Sequence, residues 1–164
     1  MHDPVLLADY FIAHSGGRLT PLQVIKLAYI SHGYALAIHD KPLINEAVEA
    51  WRFGPVIPSI YHKAKRYGGD QIPRLLYCGT GVGDKTAIRE RKDFFRSRVG
   101  DQTCGLLDRI LEVYGKLSGL DLIRITHVDG SPWRRCYVRG KRHIRIPDRE
   151  IQMHYKELIM HGGP

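Results

Sequence analysis

Thr20-Pro21-Leu22-Gln23-Val24-Ile25-Lys26-Leu27-Ala28-Tyr29-Ile30-Ser31-His32-Gly33-Tyr34-Ala35-Leu36 is the stretch that decides the fold class. Thr20 has a hydroxyl that can take a free N–H at a helix start. Pro21 suits the first helical position, where the missing N–H has no intrahelical partner anyway. Leu22, Ile25, Leu27, Ala28, Tyr29, His32 and Leu36 then recur at helical spacing, which predicts a long amphipathic helix to about residue 38. Upstream, Asp3-Pro4 repeats the start signal before the stripe Val5, Leu6, Ala8, Phe11 and Ile12, and Ser15-Gly16-Gly17 closes it. The two helices are expected to form a hairpin.

Downstream the pattern changes. Lys41-Pro42 breaks the helix, and residues 46–53 alternate roughly by two, like a short strand. Gly54-Pro55 reads as a turn from strand to helix, and Pro58-Ser59 as the start of a helix with Ile60, Tyr61, Ala64 and Tyr67 inward. Arg74–Cys78 is a short apolar piece and a candidate second strand, followed by a Gly-rich loop at 79–86. Gln102–Leu117 carries a helical stripe, Ser118 caps a shorter helix, and Gly130-Ser131-Pro132 interrupts the chain. Pro147 opens a terminal helix with Ile151, Tyr155, Leu158 and Ile159. The expectation is a mainly α, single-domain helical bundle over residues 1–164, with five to seven helices and a small β-hairpin or short strand pair. Its core should include Leu6, Ile12, Ile25, Leu27, Tyr29, Leu107, Ile110, Leu111, Tyr114 and Ile123.

Composition excludes several classes. The 164 residues are 43% hydrophobic, too many for a disordered chain. No apolar run reaches the roughly 20 residues of a membrane helix, and Asp9 interrupts the N-terminal apolar stretch, so neither a membrane span nor a signal peptide is expected. Cys78, Cys104 and Cys136 lie far apart with no C-x-x-C pair, as in a cytoplasmic protein with reduced thiols. The net charge of +8 is unevenly placed: residues 85–98 hold six basic and two acidic side chains, and residues 134–149 hold seven and one. Such segments attract acidic proteins or nucleic acid, or form a solvated face.

Catalytic spacing is missing. Residues 79–86 approach a phosphate-binding loop, but Asp84 replaces its last Gly and a carboxylate there repels phosphate, so a surface loop is the plainer reading. The nine His include no pair at metal-ligand helical spacing. His14 and His32, on different predicted helices, have nothing to fix them together. His127 ends a predicted helix, where a cation is favoured and the ring can bond free carbonyls. Trp51, Phe53 and Trp133 read first as core or corner residues and second as exposed partner anchors. Neither a cofactor nor a metal is called for.

One ordered set of features is more specific: Leu19-Thr20-Pro21 through Tyr29, Pro42-Leu43, Glu49-Ala50-Trp51-Arg52-Phe53-Gly54-Pro55-Val56-Ile57-Pro58 with Tyr61, Val113-Tyr114-Gly115, Leu120, Thr126-His127 and Pro132-Trp133. Over about residues 3–160 this resembles the Panacea antitoxin domain family, which includes phage-associated GepA-like and SocA-like proteins. The resemblance implies a mostly helical, non-enzymatic antitoxin that binds and neutralises a protein toxin encoded nearby, without naming the toxin. The basic segment 134–149 departs from the family pattern. From the residues, Trp51 and Phe53, two apart, are expected on one strand face with Glu49. The candidate partner-binding set is Trp51, Phe53, Gly54, Pro55, Tyr61, His127, Trp133, Arg134, Arg135, Arg139 and Arg142. The competing function is a nucleic-acid-binding regulator using segments 85–98 and 134–149. A homo-oligomer is compatible with either.

Overall fold

Helix α2 (Pro21–His39) is the axis of the molecule. Thr20 and Gln23 close a reciprocal capping box at its start, and Asp40 ends it in the left-handed conformation at φ 53°. From Val24 to Leu36 every residue is buried, so the helix is enclosed on all sides rather than amphipathic. Its neighbours are α1 (Pro4–His14), α5 (Asp101–Tyr114), α6 (Gly119–Thr126) and α8 (Asp148–Met160). The structure, a computed structural model, describes residues 1–77 and 87–162, with side chains from residue 93 onward in the second span. The loop 79–86 and Cys78 lie outside the described residues.

Local chemistry explains each helix start. Asp3 accepts from the Val5 N–H at 2.8 Å ahead of Pro4, Ser118 and Asp121 form a second capping box, and Ser131 accepts from the Arg134 N–H. Helix α3 (Pro58–Ala64) runs into a single 3-10 turn at Lys65–Tyr67, and α4 (Ala87–Val99) packs on α1 and α5 through buried Phe95 and Val99. His32 Nδ1 accepts from the Leu43 N–H at 3.3 Å, so its Nε2 carries the proton and donates to Asp148 at 3.1 Å, tying α8 to α2.

Eight α-helices are seen among the described residues, one more than the upper end of the expected five to seven, because Gly130-Ser131-Pro132 does not end the helical region. It starts the short α7 (Pro132–Cys136) instead. The sheet has three antiparallel strands in the order β2 (Gly54–Val56), β1 (Val48–Trp51), β3 (Arg145–Ile146). The third strand lies inside the basic run 134–149, which is therefore not a solvated face throughout. Ile146 pairs with Val48 and is 2% exposed, while Arg145 alternates outward. Apart from a single β-bridge at Arg74, residues 74–77 form no strand. The carboxylate of buried Asp9 takes the N–H groups of Leu76 (2.5 Å) and Tyr77 (2.9 Å) in place of a sheet neighbour. Of the expected core, Leu6, Leu111 and Ile123 are half-buried on helix flanks, and the other seven are buried.

Candidate functional site

The turn between β1 and β2 is the two-residue loop Arg52–Phe53, with Trp51 paired to Gly54. Gly54 and Pro55 belong to β2, which corrects the reading of Gly54-Pro55 as the turn. The proline is tolerated because β2 is an edge strand. Phe53 therefore does not share the strand face of Trp51. Its ring is 61% exposed at the tip, with the Arg52 guanidinium 5.3 Å above it. Glu49 does lie beside Trp51 and accepts from its indole N–H at 2.7 Å.

The turn is held from behind by side chains distant in sequence. Trp133, 5% exposed on α7, donates its indole N–H to the Trp51 carbonyl at 2.7 Å. Lys26, fully buried on α2, donates from Nζ to the Pro55 carbonyl at 3.0 Å. Burial lowers its pKa to about 7. Gly54 sits at φ 103°, and a Cβ there would run into Lys26 Nζ and His127 Nε2, so glycine is required both by backbone conformation and by space.

His127 is the C-cap of α6, as its position suggested, but not as a cation. Burial, then the charges of Lys26 and Arg134, lower its pKa to about 4, with a hydrogen bond to the Phe53 backbone acting the other way. Its Nε2 is buried without a hydrogen-bond partner among the described residues. The ring lies flat on Trp133, centroids 3.6 Å apart and planes within 2°, and Tyr137 continues the stack at 4.8 Å. Tyr61 of α3 meets the half-buried Trp51 edge-on at 4.7 Å.

The four candidate arginines divide. Arg134 and Arg135 on α7 pair with Asp129 (3.7 Å) and Glu150 (2.9 Å). Arg139 and Arg142 lie exposed in the following loop and line a cleft of about 830 Å³ with Trp51, Tyr61 and Tyr137. The structure thus brings Tyr61, His127, Trp133, Arg139 and Arg142 to the hairpin, whereas Arg134 and Arg135 are placed by their ion pairs with Asp129 and Glu150. It also adds Lys26, Tyr137 and His143, which the sequence reading passed over. Lys26 had one usable signal: a lone cation between Ile25 and Leu27 in a helix apolar enough to be enclosed. His14 and His32 take separate partners, Tyr10 and Asp148. No group of three or more His, Cys, Asp or Glu among the described residues is placed to hold a metal.

A family profile described as antitoxin SocA-like, Panacea domain, matches residues 24–134, which contain the hairpin, α6 and the first residues of α7. The chain belongs to the SocA-like Panacea family. The match is shorter than residues 3–160 and leaves α1 and α8 outside the Panacea span. Over 124 residues, 70% of this chain, the Panacea protein is 30% identical to "Antitoxin SocA" of Caulobacter vibrioides (strain NA1000 / CB15N), and the aligned part spans 58% of that relative's length. No solved structure matches. Among the described residues no helix is long and apolar enough to cross a membrane.

Proposed function

We propose that this Panacea-domain chain is a non-enzymatic antitoxin that neutralises a protein toxin by binding it, with the Arg52–Phe53 tip as the central contact. The observation that carries the reading is the contrast at that tip. The carbonyls on both sides of it are fixed by buried side chains, Trp133 and Lys26, yet the Phe53 ring is left in solvent beside an arginine. A large apolar side chain held rigidly outward has no role in the core. Aromatic and arginine side chains on a preorganised support are the composition of binding hot spots, because little conformational entropy remains to be lost on association. The SocA relative, itself named an antitoxin, agrees in class.

The nucleic-acid reading has weaker support. Of segment 85–98, residues 87–98 lie on α4 against α1 and α5, whereas 134–149 lies along α7, β3 and the start of α8, so the two basic runs lie on elements with different neighbours. Co-expression with the product of the adjacent reading frame tests the proposal. Phe53→Ser should leave the melting temperature unchanged, as exposed substitutions do, while abolishing rescue from toxicity and co-purification of the complex. Full rescue by Phe53→Ser and by Arg52→Gln would remove the tip from the interface. Absence of a complex with the parent chain would remove the toxin reading itself.

A further inference from the structure

We propose that the cleft beside the hairpin is a nucleotide site, taking a planar base against its aromatic wall and phosphate at Arg139 and Arg142. The wall is built from side chains with little freedom. The stack of His127 on Trp133 and Trp133 on Tyr137 ends at Tyr137, which lines the cleft, and Trp51 and Tyr61 line it as well. At about 830 Å³ the cleft has the size of a small-ligand pocket. Bases stack on aromatic faces whatever their sequence, and arginine matches phosphate with parallel donors.

The charges have a direction. Arg139 and Arg142 are exposed and make no ion pair among the described residues, unlike Arg134 and Arg135. Glu49, 15% exposed, lies beside Trp51, accepting from its indole and paired at 3.3 Å with His143, which lines the cleft. A carboxylate beside Trp51 repels an anion brought against that ring, and the guanidinium groups of Arg139 and Arg142 attract one held at their side of the cleft. A ligand with an uncharged planar end and an anionic end satisfies both. An acidic peptide segment would meet the arginines and leave the aromatic wall without a planar partner.

The inference does not rest on the toxin reading, because binding is measured on the chain alone. Calorimetric titration of the full chain with ATP, GTP, CTP and UTP, at low and high salt, should show salt-sensitive binding of at least one of them. Arg139→Gln/Arg142→Gln should weaken that nucleotide about tenfold or more, the loss expected for a charge-assisted hydrogen bond. Tyr137→Leu should weaken the nucleotide but not inorganic triphosphate. The arginine pair is exposed, so its variant keeps the test open if Tyr137→Leu fails to fold. Inorganic triphosphate binding the parent as tightly as any nucleotide would overturn the assignment, since no base is then read. So would hexaglutamate binding where nucleotides give no heat, and so would silence from all four nucleotides.

Discussion

Lys26 is fully buried and donates to the Pro55 carbonyl, and burial lowers its pKa from 10.5 to about 7. Between these values the unfolded chain holds a proton that the folded chain lacks, so this group makes stability rise with pH. The slope is at most about 1.4 kcal/mol per pH unit. Lys26→Met keeps the packing and removes the titration. Urea melts in steps from about pH 7 to about pH 9.5 should therefore show the parent gaining stability relative to Lys26→Met. Above that range Tyr29 and Tyr114, whose pKa values burial raises, lose stability in the opposite sense and mask the slope. Parallel pH profiles would mean the amine keeps its proton in the fold. Trp133 gives a second residue-scale test. It is buried, stacked with the rings of His127 and Tyr137 and hydrogen-bonded, so Trp133→Ala should cost about 3–5 kcal/mol. Trp51→Ala, at a half-buried position, should cost less, and thermal melts of the two variants settle the order.

At the scale of elements the hairpin is the most constrained unit. Gly54→Ala puts a Cβ into Lys26 Nζ and His127 Nε2 at a backbone angle unfavourable to L residues. It should destabilise by well over about 1 kcal/mol and release the Arg52–Phe53 tip, read as lost hydrogen-exchange protection in β1 and β2. The sequence made some elements legible and hid others for physical reasons. Helices α1, α2, α6 and α8 were readable because caps and prolines fix their starts and apolar spacing fixes their lengths. Strand β3 was hidden because Arg145–Ile146 pairs only two residues inside a basic run. The turn was displaced by two residues because Gly54 and Pro55 are strong turn formers in general, while the positive φ of Gly54 here serves a close approach inside β2. Likewise Asp9 interrupted an apolar stripe on paper. In the fold it caps the backbone of Leu76 and Tyr77 from inside, with burial raising its pKa to about 6. The candidate site was readable as two aromatic motifs, but not as one site. The Trp133-to-Trp51 hydrogen bond joins residues 82 apart, and no local pattern records such a contact.

At the scale of the whole molecule, α2 is buried from sides that the family match does not include. Residues 24–134 omit α1 and α8. From α1, Leu7, Phe11 and Ile12 are fully buried in the cluster around α2, and from α8 so is Ile151, with Tyr155 4% exposed against Gly33 and the ring of Tyr29. Gln152 also donates to the Leu36 carbonyl at 2.9 Å near the end of α2. Burying a large apolar side chain contributes about 1.5–3 kcal/mol. The loss of these five side chains alone therefore removes roughly 7–15 kcal/mol, which equals the whole net stability of an ordinary domain. Removing both helices also exposes the apolar face of α2, which would then favour association. A fragment of residues 24–134 should accordingly fail to unfold cooperatively in urea and show poorly dispersed amide resonances, whereas residues 1–162 should give one sharp transition. A cooperative, well-dispersed 24–134 fragment would show that α5, α6 and the hairpin enclose α2 without help, and that α1 and α8 are additions to a core complete in itself.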